Sequence, residues 1–350
     1  KEDVGRENFI SKVWEWKEKS GENISGQMKK LGMSCDWSRE RFTMDEGLSA
    51  AVRQVFVTLY DSGLIYKGSR MVNWDTKLMS AVSDLEVNLE EQTGKLWSVK
   101  YKCGDEFITI ATTRPETILA DTAVAVNPDD ERYKSFIGKT AIIPIVNREV
   151  PIIADEYVDK EFGSGCVKIT PAHDFNDYEI GLKHDLEVIS CMKLDGTMSD
   201  DDFMPENYKN LDRFEARDQI VNELSELGFL VSADDHVIQL PKGDRSKSIL
   251  EPMITDQWFV KTKELADRGI AEVENENMKF IPKNWEKTYF EWMYNIQDWC
   301  ISRQIWWGHQ IPAWYDEDGN IYVATTESEV REKYKLSDDL KLSQDKDVLD

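Results

Sequence analysis

Residues 111–117, ATTRPET, and residues 163–178, GSGCVKITPAHDFNDY, together decide the predicted fold of this chain. The first segment completes EFITIATT at residues 106–113, a run rich in β-branched residues that predicts a strand. Pro115 has no backbone N–H to give to a neighbouring strand, so the strand ends before it. The pattern therefore predicts a strand that leads into a short polar loop.

The second segment predicts another strand with a polar face. Gly163 and Gly165 permit a tight turn, after which the alternation of a strand places Cys166, Lys168 and Thr170 on one side. A buried ammonium is costly unless it is paired, so Lys168 should be either paired or exposed. One cation and one hydroxyl are thus expected to point the same way.

Two carboxylates follow at the start of a predicted helix. Pro171 ends the strand, Asp174 occupies the N-cap of a helix over residues 175–183, and Asp177 follows three residues later. The helix dipole and the free N–H groups of the first turn favour ionised carboxylates, so we expect both to be anionic at neutral pH. Together with Lys168 and nearby threonine hydroxyls, they suit a substrate that carries an amino group, a hydroxyl and an ester.

Simpler interpretations of these residues stay open. Aspartate at an N-cap followed by an acidic residue is ordinary helix chemistry, so Asp174 can be only a cap. His173, beside Pro171 and Ala172, is more often structural than catalytic.

The chain is expected to form two or three domains, because 350 residues with 41% hydrophobic content can bury more than one core. Three further helices are predicted. The first covers residues 9–31 with an interruption near Gly21, the second begins at the capping pattern around Thr43, and the third covers residues 211–227. Short strands separated by turns between residues 88 and 237 predict a compact barrel or curved sheet in an α+β chain. These strands are 96–103, 107–113, 122–126, 140–146, 151–154 and 166–170.

The C-terminal third is rich in aromatic residues. Half of the twelve tryptophans lie between Trp285 and Trp314, which predicts a bulky local core or a side-chain pocket. Asp318-Gly319 predicts a hairpin, and residues 326–334 a final helix.

Several classes of protein are disfavoured by composition. The five cysteines lack zinc-ligand spacing and imply no disulfide framework, and the acidic run after Asp195 lacks metal-binding spacing, so we expect no metal site and no structural zinc. No apolar run could serve as a signal or membrane segment. Because the sequence opens at Lys1 without methionine, we expect an excised piece of a larger cytoplasmic protein.

The charge balance argues against a general nucleic-acid binder. The formal net charge is −24, and a field of that sign repels a phosphate backbone. Any contact with RNA is therefore expected to be local.

At these residues the chain resembles a known family. The runs TTRPET at 112–117 and KITPAHDFNDY at 168–178 resemble the two signature segments of the editing domain of valyl-tRNA synthetases, which are class I aminoacyl-tRNA synthetases. Leucyl enzymes are similar in the first run but usually have aspartate where Glu116 stands. Lys168 with Ile169 and Thr170 fits the valyl pattern better than the leucyl or isoleucyl pattern. The resemblance extends over nearly the whole chain.

The resemblance implies three parts. Residues 1–87 would lead from the catalytic domain, residues 88–237 would form the inserted editing domain, and residues 238–350 would return to the catalytic domain. The run DWCISRQIWWGH at 298–309 is similar to the segment that borders the valine-activation pocket. Neither the His-Ile-Gly-His nor the Lys-Met-Ser-Lys-Ser signature occurs, so the ATP site is incomplete. ATP and Mg are expected only for the full-length enzyme, and no cofactor is expected for editing.

The implied activity is hydrolysis of the ester of Thr-tRNA(Val), so the expected partner is the tRNA(Val) acceptor end carrying threonine. Asp177 would bind the α-ammonium, while Lys168, Thr170 and Asp174 would recognise the hydroxyl or hold the attacking water. Arg114 and Thr112 would position the terminal adenosine and its ester. The resulting catalytic set is Lys168, Asp174 and Thr112, and the substrate-binding set is Arg114, Glu116, Thr117, Thr170, Asp177 and His173.

Two other functions stay open at this point. One is a cysteine-type hydrolase that uses Cys166 and His173, although seven residues across a strand-to-helix corner do not guarantee contact. The other is a non-catalytic tRNA-docking module, which the acidic balance disfavours.

Overall fold

A computed structural model describes residues 4–350 of the chain. The chain divides into two compact units: unit 1 is Lys1–Gly68 with Asp256–Asp350, and unit 2 is Ser69–Thr255. The predicted limits at residues 88 and 237 both lie inside unit 2 and stay a prediction. The first three residues of the predicted segment 1–87 lie outside the described residues.

Helices and strands alternate irregularly along the described residues. The α-helices are α1 Arg6–Lys30, α2 Glu46–Asp61, α3 Phe175–Lys183, α4 Arg213–Glu226, α5 Lys263–Glu274, α6 Trp285–Tyr294 and α7 Glu327–Tyr334. Short 3-10 helices cover Trp37–Arg39, Asp84–Glu86 and Pro115–Ala120. The strands are β1 Ile65–Asp75, β2 Ser80–Val82, β3 Val87–Cys103, β4 Glu106–Thr112, β5 Ala123–Val126, β6 Thr140–Ile142, β7 Glu149–Ala154, β8 Cys166–Ile169, β9 Leu230–Gly243, β10 Glu251–Val260, β11 Trp299–Cys300, β12 Ser302–Arg303, β13 His309–Gln310, β14 Ala313–Tyr315, β15 Ile321–Val323, β16 Ser343–Gln344 and β17 Val348–Leu349.

Unit 2 is built on one curled sheet. Its strands follow the order β4-β3-β6-β7-β5-β8, with β9 paired to β3. The two strands at the ends of this order, β4 and β8, approach each other, so the sheet curls towards closure. Most pairs are antiparallel, while β5 and β7 are parallel. The predicted α+β class with a curved, barrel-like sheet is confirmed.

The longest pairing of unit 2 was not predicted. Strand β3 begins at Val87, well before the predicted start at Leu96, and it pairs antiparallel with β9 along nearly its whole length. The first half of β3 is mostly charged or polar, NLEEQTGK at residues 88–95, and residues 88–93 are all exposed, while β9 has no fully buried residue before Gly243. A two-stranded ribbon that is exposed on both faces has no apolar alternation, and that alternation is the main sequence signal for a strand.

Unit 1 departs from two expectations. Helix α1 runs without the predicted interruption, because a glycine such as Gly21 weakens a helix by about 1 kcal/mol but does not break it. The predicted tryptophan-rich core is wrong for Trp285, Trp292 and Trp299, which are exposed. Trp314 is buried in a local core with Ala324 and Val330, as predicted. Trp258, outside the predicted segment, is also buried and packs edge-on against Phe56 of α2.

The C-terminal predictions of unit 1 hold more closely. Strands β14 and β15 pair antiparallel around the turn at Asp316–Gly319, as the hairpin pattern predicts. Helix α7 follows, with Thr326 at its N-cap accepting a hydrogen bond from the backbone N–H of Glu329 at 3.3 Å.

Among residues 4–350, no helix is both long enough and apolar enough to cross a membrane.

The curled sheet of unit 2 predicts unequal costs for the same substitution on paired strands. Val99 on β3 is fully buried, whereas Val237 on β9 is 55% exposed. Val99→Ala should lower the free energy of unfolding by about 2 kcal/mol, because two buried methyl groups are lost and a cavity remains. Val237→Ala should change it by less than about 0.5 kcal/mol. Chemical denaturation measures both, and equal losses would contradict this assignment of the core.

Candidate functional site

The polar centre of unit 2 begins with a lysine on the sheet. Strand β8 pairs antiparallel with β5, which places Lys168 opposite Val124. Lys168 is only 7% exposed, so its ammonium needs an anionic partner. That partner is Asp121, whose Oδ1 lies 3.1 Å from Lys168 Nζ. Of the two outcomes expected for Lys168, paired or exposed, the structure has the paired one.

Asp121 was missed by the sequence analysis although it lies at the centre of this polar cluster. It is fully buried, and its Oδ1 also accepts a hydrogen bond from the Thr170 hydroxyl at 2.6 Å. Its Oδ2 accepts one from the Tyr101 hydroxyl at 2.5 Å. A signal was present, since Asp121 is the single charged residue in the run ILADTAVAV at residues 118–126. A lone carboxylate in such a run must be paired in the folded protein.

Thr170 connects the lysine to the predicted amine-binding acid. Its hydroxyl accepts a hydrogen bond from Lys168 Nζ and donates to Asp121. Its backbone N–H donates to Oδ2 of Asp177 at 2.8 Å. The structure therefore brings Lys168, Thr170 and Asp177 together around one residue, as the sequence analysis expected.

Asp174 caps helix α3 as predicted. Its Oδ1 accepts the backbone N–H groups of Asn176 at 2.8 Å and Asp177 at 3.1 Å, and the helix spans the predicted residues 175–183. This satisfies two of the N–H groups that a helix leaves free at its N-terminus. The capping interpretation of Asp174 thus describes its contacts, and its role towards a substrate stays a prediction.

The expected permanent ionisation of Asp177 is not supported. Burial raises the pKa of Asp177 to about 7, and the neighbouring negative charge of Asp174 acts in the same direction. Lys168 and the N–H of Thr170 favour the anion but do not offset the burial. The helix N-terminus alone predicted an anion, whereas the side chain is only 7% exposed and loses most of its hydration.

The threonines of the other segment bond within their own loop. The Thr112 hydroxyl accepts a hydrogen bond from the backbone N–H of Arg114 at 3.0 Å. The Thr117 hydroxyl donates to the carbonyl of Arg114 at 2.9 Å, at the start of the 3-10 helix that Pro115 opens. Both threonines are buried, and they fix the course of the loop around Arg114. Their predicted roles towards an ester stay predictions.

Arg114 and Glu116 belong to a buried network of ion pairs. Glu116 is fully buried, and its two oxygens accept from Arg217 at 2.7 and 2.8 Å, while Arg114 Nε lies 3.4 Å from its Oε1. Arg114 also pairs with Glu251, which pairs in turn with Arg213 at 2.7 Å. The contacts of Glu116 are thus internal, and its predicted substrate contact stays untested.

These ion pairs determine the charge states of the network. Burial opposes the charge of Arg114, yet Glu251 and Glu116 outweigh it and raise the pKa of Arg114. Burial likewise opposes ionisation of Glu116, but Arg217 and Arg114 lower the pKa of that carboxyl. Arg114 and Glu116 therefore both remain charged at neutral pH.

His173 lies beside this network as a neutral, buried side chain. Burial and the positive charges of Arg114 and Lys168 lower its pKa well below the usual range. Its Nε2 accepts the backbone N–H of Cys191 at 2.9 Å, and its carbonyl accepts from Arg114 at 2.6 Å. These contacts match the structural interpretation of His173. Its predicted substrate contact stays a prediction.

The pairing that a cysteine hydrolase would need is not formed. Burial raises the pKa of the Cys166 thiol to about 12, so the nucleophilic thiolate is scarce at neutral pH. The ring of His173 is bonded to Cys191 instead, and between residues 4 and 350 no hydrogen bond joins His173 to Cys166. This arrangement cannot activate Cys166.

No group of the described residues forms a metal site: three or more histidine, cysteine or acidic side chains do not converge anywhere in 4–350. The five cysteines are free thiols. What the cluster offers is a cation at Lys168, an acid at Asp177 and a fixed hydroxyl at Thr170.

Comparison with known proteins identifies the class. The family model for class I tRNA synthetases (I, L, M and V) matches residues 1–350, and the chain belongs to this family. Over 352 aligned residues the chain is 56% identical to the valine–tRNA ligase of Legionella pneumophila (strain Paris). The alignment covers 100% of this chain and 38% of that protein. Identity to the valine–tRNA ligase of Francisella tularensis is also 56%, over 350 residues, covering 99% of this chain and 38% of that protein.

The chain therefore spans 38% of the length of these valine–tRNA ligases. A solved structure of an Agrobacterium radiobacter LeuRS in a ternary complex with tRNA and LeuAMS aligns with a TM-score of 0.36 and 16% identity, covering 99% of this chain and 48% of that one.

The buried network predicts a large and pH-dependent effect of Glu116→Gln. The change leaves Arg217 without its buried anion and Arg114 with Glu251 alone, which should cost about 3–5 kcal/mol of unfolding free energy at pH 7. The folded-state pKa of Glu116 is lowered, so its contribution is present above the unfolded pKa and is lost as the pH falls through the folded pKa. The difference between the two proteins should therefore shrink below about pH 4.

Glu131→Gln provides the matched control. Glu131 forms a surface pair with Lys134, and its side chain is 82% exposed. Its loss should change the unfolding free energy by less than about 1 kcal/mol at any pH. If chemical denaturation gives Glu116→Gln the same small effect, the network does not hold the fold together.

Proposed function

We propose that this chain hydrolyses the ester of mischarged Thr-tRNA(Val), the editing reaction of a valyl-tRNA synthetase. The observation that carries the proposal is the convergence of Lys168, Thr170 and Asp177, joined by contacts of about hydrogen-bond length. An ammonium and an acid side by side match the hydroxyl and the amine of a threonyl ester. Membership of the class I synthetases and the similarity to valine–tRNA ligases support the same assignment.

The hydrogen-bonding capacity of the cluster indicates which groups are free for a ligand. Lys168 has three N–H donors; one is given to Asp121 and one to Thr170, so one is left. The Thr170 proton is given to Asp121. The free donor for a substrate hydroxyl is therefore on Lys168, while Thr170 fixes its direction.

Asp177 supplies the matching acceptor. Its Oδ2 accepts from the backbone of Thr170, which leaves Oδ1 for the α-ammonium of the aminoacyl group. An ammonium at Asp177 replaces part of the hydration lost by burial and stabilises the anion. Binding of the amine and ionisation of Asp177 are then coupled.

In the proposed reaction, water adds to the ester carbonyl and the ribose oxygen of the terminal adenosine leaves with a proton, giving threonine and free tRNA. A Gly-x-Ser-x-Gly nucleophile motif is not present in the sequence, so orientation and electrostatic stabilisation are the proposed sources of the rate. Thr112 and Asp174 are proposed to hold the ester and the water, and Arg114 with Thr117 to position the adenosine. Ester hydrolysis by water requires no cofactor.

A separate editing site improves the discrimination between valine and threonine. An apolar pocket that accepts valine rejects the nearly isosteric threonine only weakly. A site with a buried donor can instead reject valine, because a valyl methyl group would leave the third N–H donor of Lys168 without a partner at a cost of roughly 1–3 kcal/mol. The proposed partner is therefore the threonine-bearing acceptor end of tRNA(Val), and the proposed location is the cytoplasm.

Substituting the two charged groups tests the proposal. Lys168→Met and Asp177→Asn should each lower kcat/KM for deacylation of Thr-tRNA(Val) by roughly 10- to 100-fold, which corresponds to the loss of one charge-assisted hydrogen bond. The exposed residues Lys102 and Asp129 provide matched controls as Lys102→Met and Asp129→Asn, which should retain the wild-type rate. Release of labelled threonine measures the rate, and full activity of both site variants would refute the proposal.

The pH profile tests the role of Asp177 separately. Because its folded pKa is about 7, kcat/KM should rise as the pH increases through about 7, and Asp177→Asn should remove this limb. The raised folded-state pKa of Asp177 also makes the free energy of unfolding depend on pH. Its contribution is fully present below the pKa of the unfolded state and is lost as the pH rises through about 7. Asp177→Asn should therefore remove that loss in thermal denaturation. A wild-type profile that is flat between pH 5 and 8 would contradict the assignment.

A further inference from the structure

Glu251 is a buried acid that neither signature segment contains. It opens strand β10 and is 3% exposed, and its carboxylate lies between two guanidinium groups. One oxygen pairs with Arg114, and the other accepts from Arg213 Nε at 2.7 Å. The acid thus touches Arg114 on one side and helix α4 on the other.

Arg114 joins the two segments that form the proposed site. Its backbone N–H donates to Thr112 Oγ1, and its guanidinium donates to the carbonyl of His173 at 2.6 Å. His173 directly precedes Asp174, the N-cap of the helix that carries Asp177. The orientation of the Arg114 side chain therefore determines how the loop after β4 meets the start of α3.

A long arginine side chain holds one orientation only if several of its donors are bound. In Arg114, one terminal nitrogen bonds to His173, the other pairs with Glu251, and Nε lies at the longer distance of 3.4 Å from Glu116. The fork of a guanidinium fixes its plane when two of its nitrogens have partners. Glu251 is the second strong partner, so removing its charge frees the guanidinium to turn away from His173.

We propose that Glu251 is a positioning residue for the editing site and acts through Arg114 on the turn that carries Asp174 and Asp177. This inference rests on the proposed function. Glu251 makes no contact with Lys168 or Asp177 among the hydrogen bonds of residues 4–350. Its effect on a threonyl ester must therefore pass through the arginine.

A merely structural role for Glu251 makes a different prediction. If the carboxylate only neutralises buried charge, Arg213→Gln and Glu251→Gln should affect the site alike, because each breaks the same pair. If Glu251 positions Arg114, only the loss of Glu251 should disturb the substrate. Arg213→Gln leaves the contact between Glu251 and Arg114 in place and is the matched control.

The test is a double-mutant cycle in the 350-residue chain. Hydrolysis of a 3′-O-threonyl adenosine ester and of Thr-tRNA(Val) is measured for the wild type, Glu251→Gln, Arg114→Gln and the double variant, below the lowest melting temperature of the set. Glu251→Gln should raise KM by roughly 10- to 100-fold, because the amine and adenosine contacts are displaced. In the Arg114→Gln background the same change should have less than about a twofold effect.

Two further variants separate positioning from stability. Arg213→Gln should keep KM within about threefold of the wild type while lowering the melting temperature. Glu251→Asp retains the charge one methylene further from Arg114, so it should restore most of the melting temperature but only part of the wild-type KM. This variant also serves if Glu251→Gln does not fold.

Each result decides one of two questions. Wild-type hydrolysis with an unchanged KM in Glu251→Gln and Glu251→Asp, or equal losses in both arginine backgrounds, overturns the positioning role alone. A wild type that neither hydrolyses the ester nor binds the corresponding non-hydrolysable threonyl-adenosine amide overturns the proposed function, and the positioning role with it.

Discussion

The burial of the Lys168 ammonium is the constraint on which the rest of the site depends. An isolated ammonium in the interior is too costly to persist, so the chain has to bring an anion to it. Asp121 is that anion, and it lies on the segment that enters β5, the strand paired with β8. The register of this strand pair therefore determines where the charge, the Thr170 hydroxyl and ultimately Asp177 are located.

The same reasoning explains why the cluster is rigid. Both Asp121 oxygens are bound, by Tyr101 on one side and by Lys168 and Thr170 on the other. Fully satisfied polar networks in a low-dielectric interior hold their members in one arrangement. Asp177 is different, since one of its oxygens lacks a described partner and burial raises its pKa to about 7. The network thus combines a fixed donor with an acid whose pKa lies near neutral pH.

The network around Arg114 gathers positive charge inside an acidic protein. The net charge is −24, yet three arginines, Arg114, Arg213 and Arg217, converge on the two buried carboxylates Glu116 and Glu251. Arg213, Glu116 and Glu251 are buried, so these charges pair with one another inside unit 2. The local contact with RNA expected from composition stays a prediction.

Local features of the site were predictable from sequence, whereas long-range features were not. Helix α3 begins at the predicted residue because Pro171, which ends the preceding strand, and the N-cap Asp174 are local signals. Thr170 and Asp177 lie on the two sides of one strand-to-helix corner, so their contact needs no pairing between distant strands. Asp121 could not be assigned to Lys168, because that pair depends on the pairing of β5 with β8.

Two further differences have the same origin. The first half of β3 is exposed on both faces and so lacks the apolar alternation that marks a strand. The raised pKa of Asp177 reflects burial by the whole curled sheet, which the first turn of a helix does not reveal. Family resemblance provided the candidate site residues, and the structure shows their hydrogen-bond and ion-pair partners.

The most direct test of the central claim is a crystal structure of the chain with a non-hydrolysable threonyl-adenosine amide. The account predicts the α-ammonium about 3 Å from the free oxygen of Asp177 and the threonyl hydroxyl about 3 Å from Lys168 Nζ, with Asp121 still bound to that lysine. A ligand bound elsewhere, or one with its hydroxyl turned away from Lys168, would contradict it.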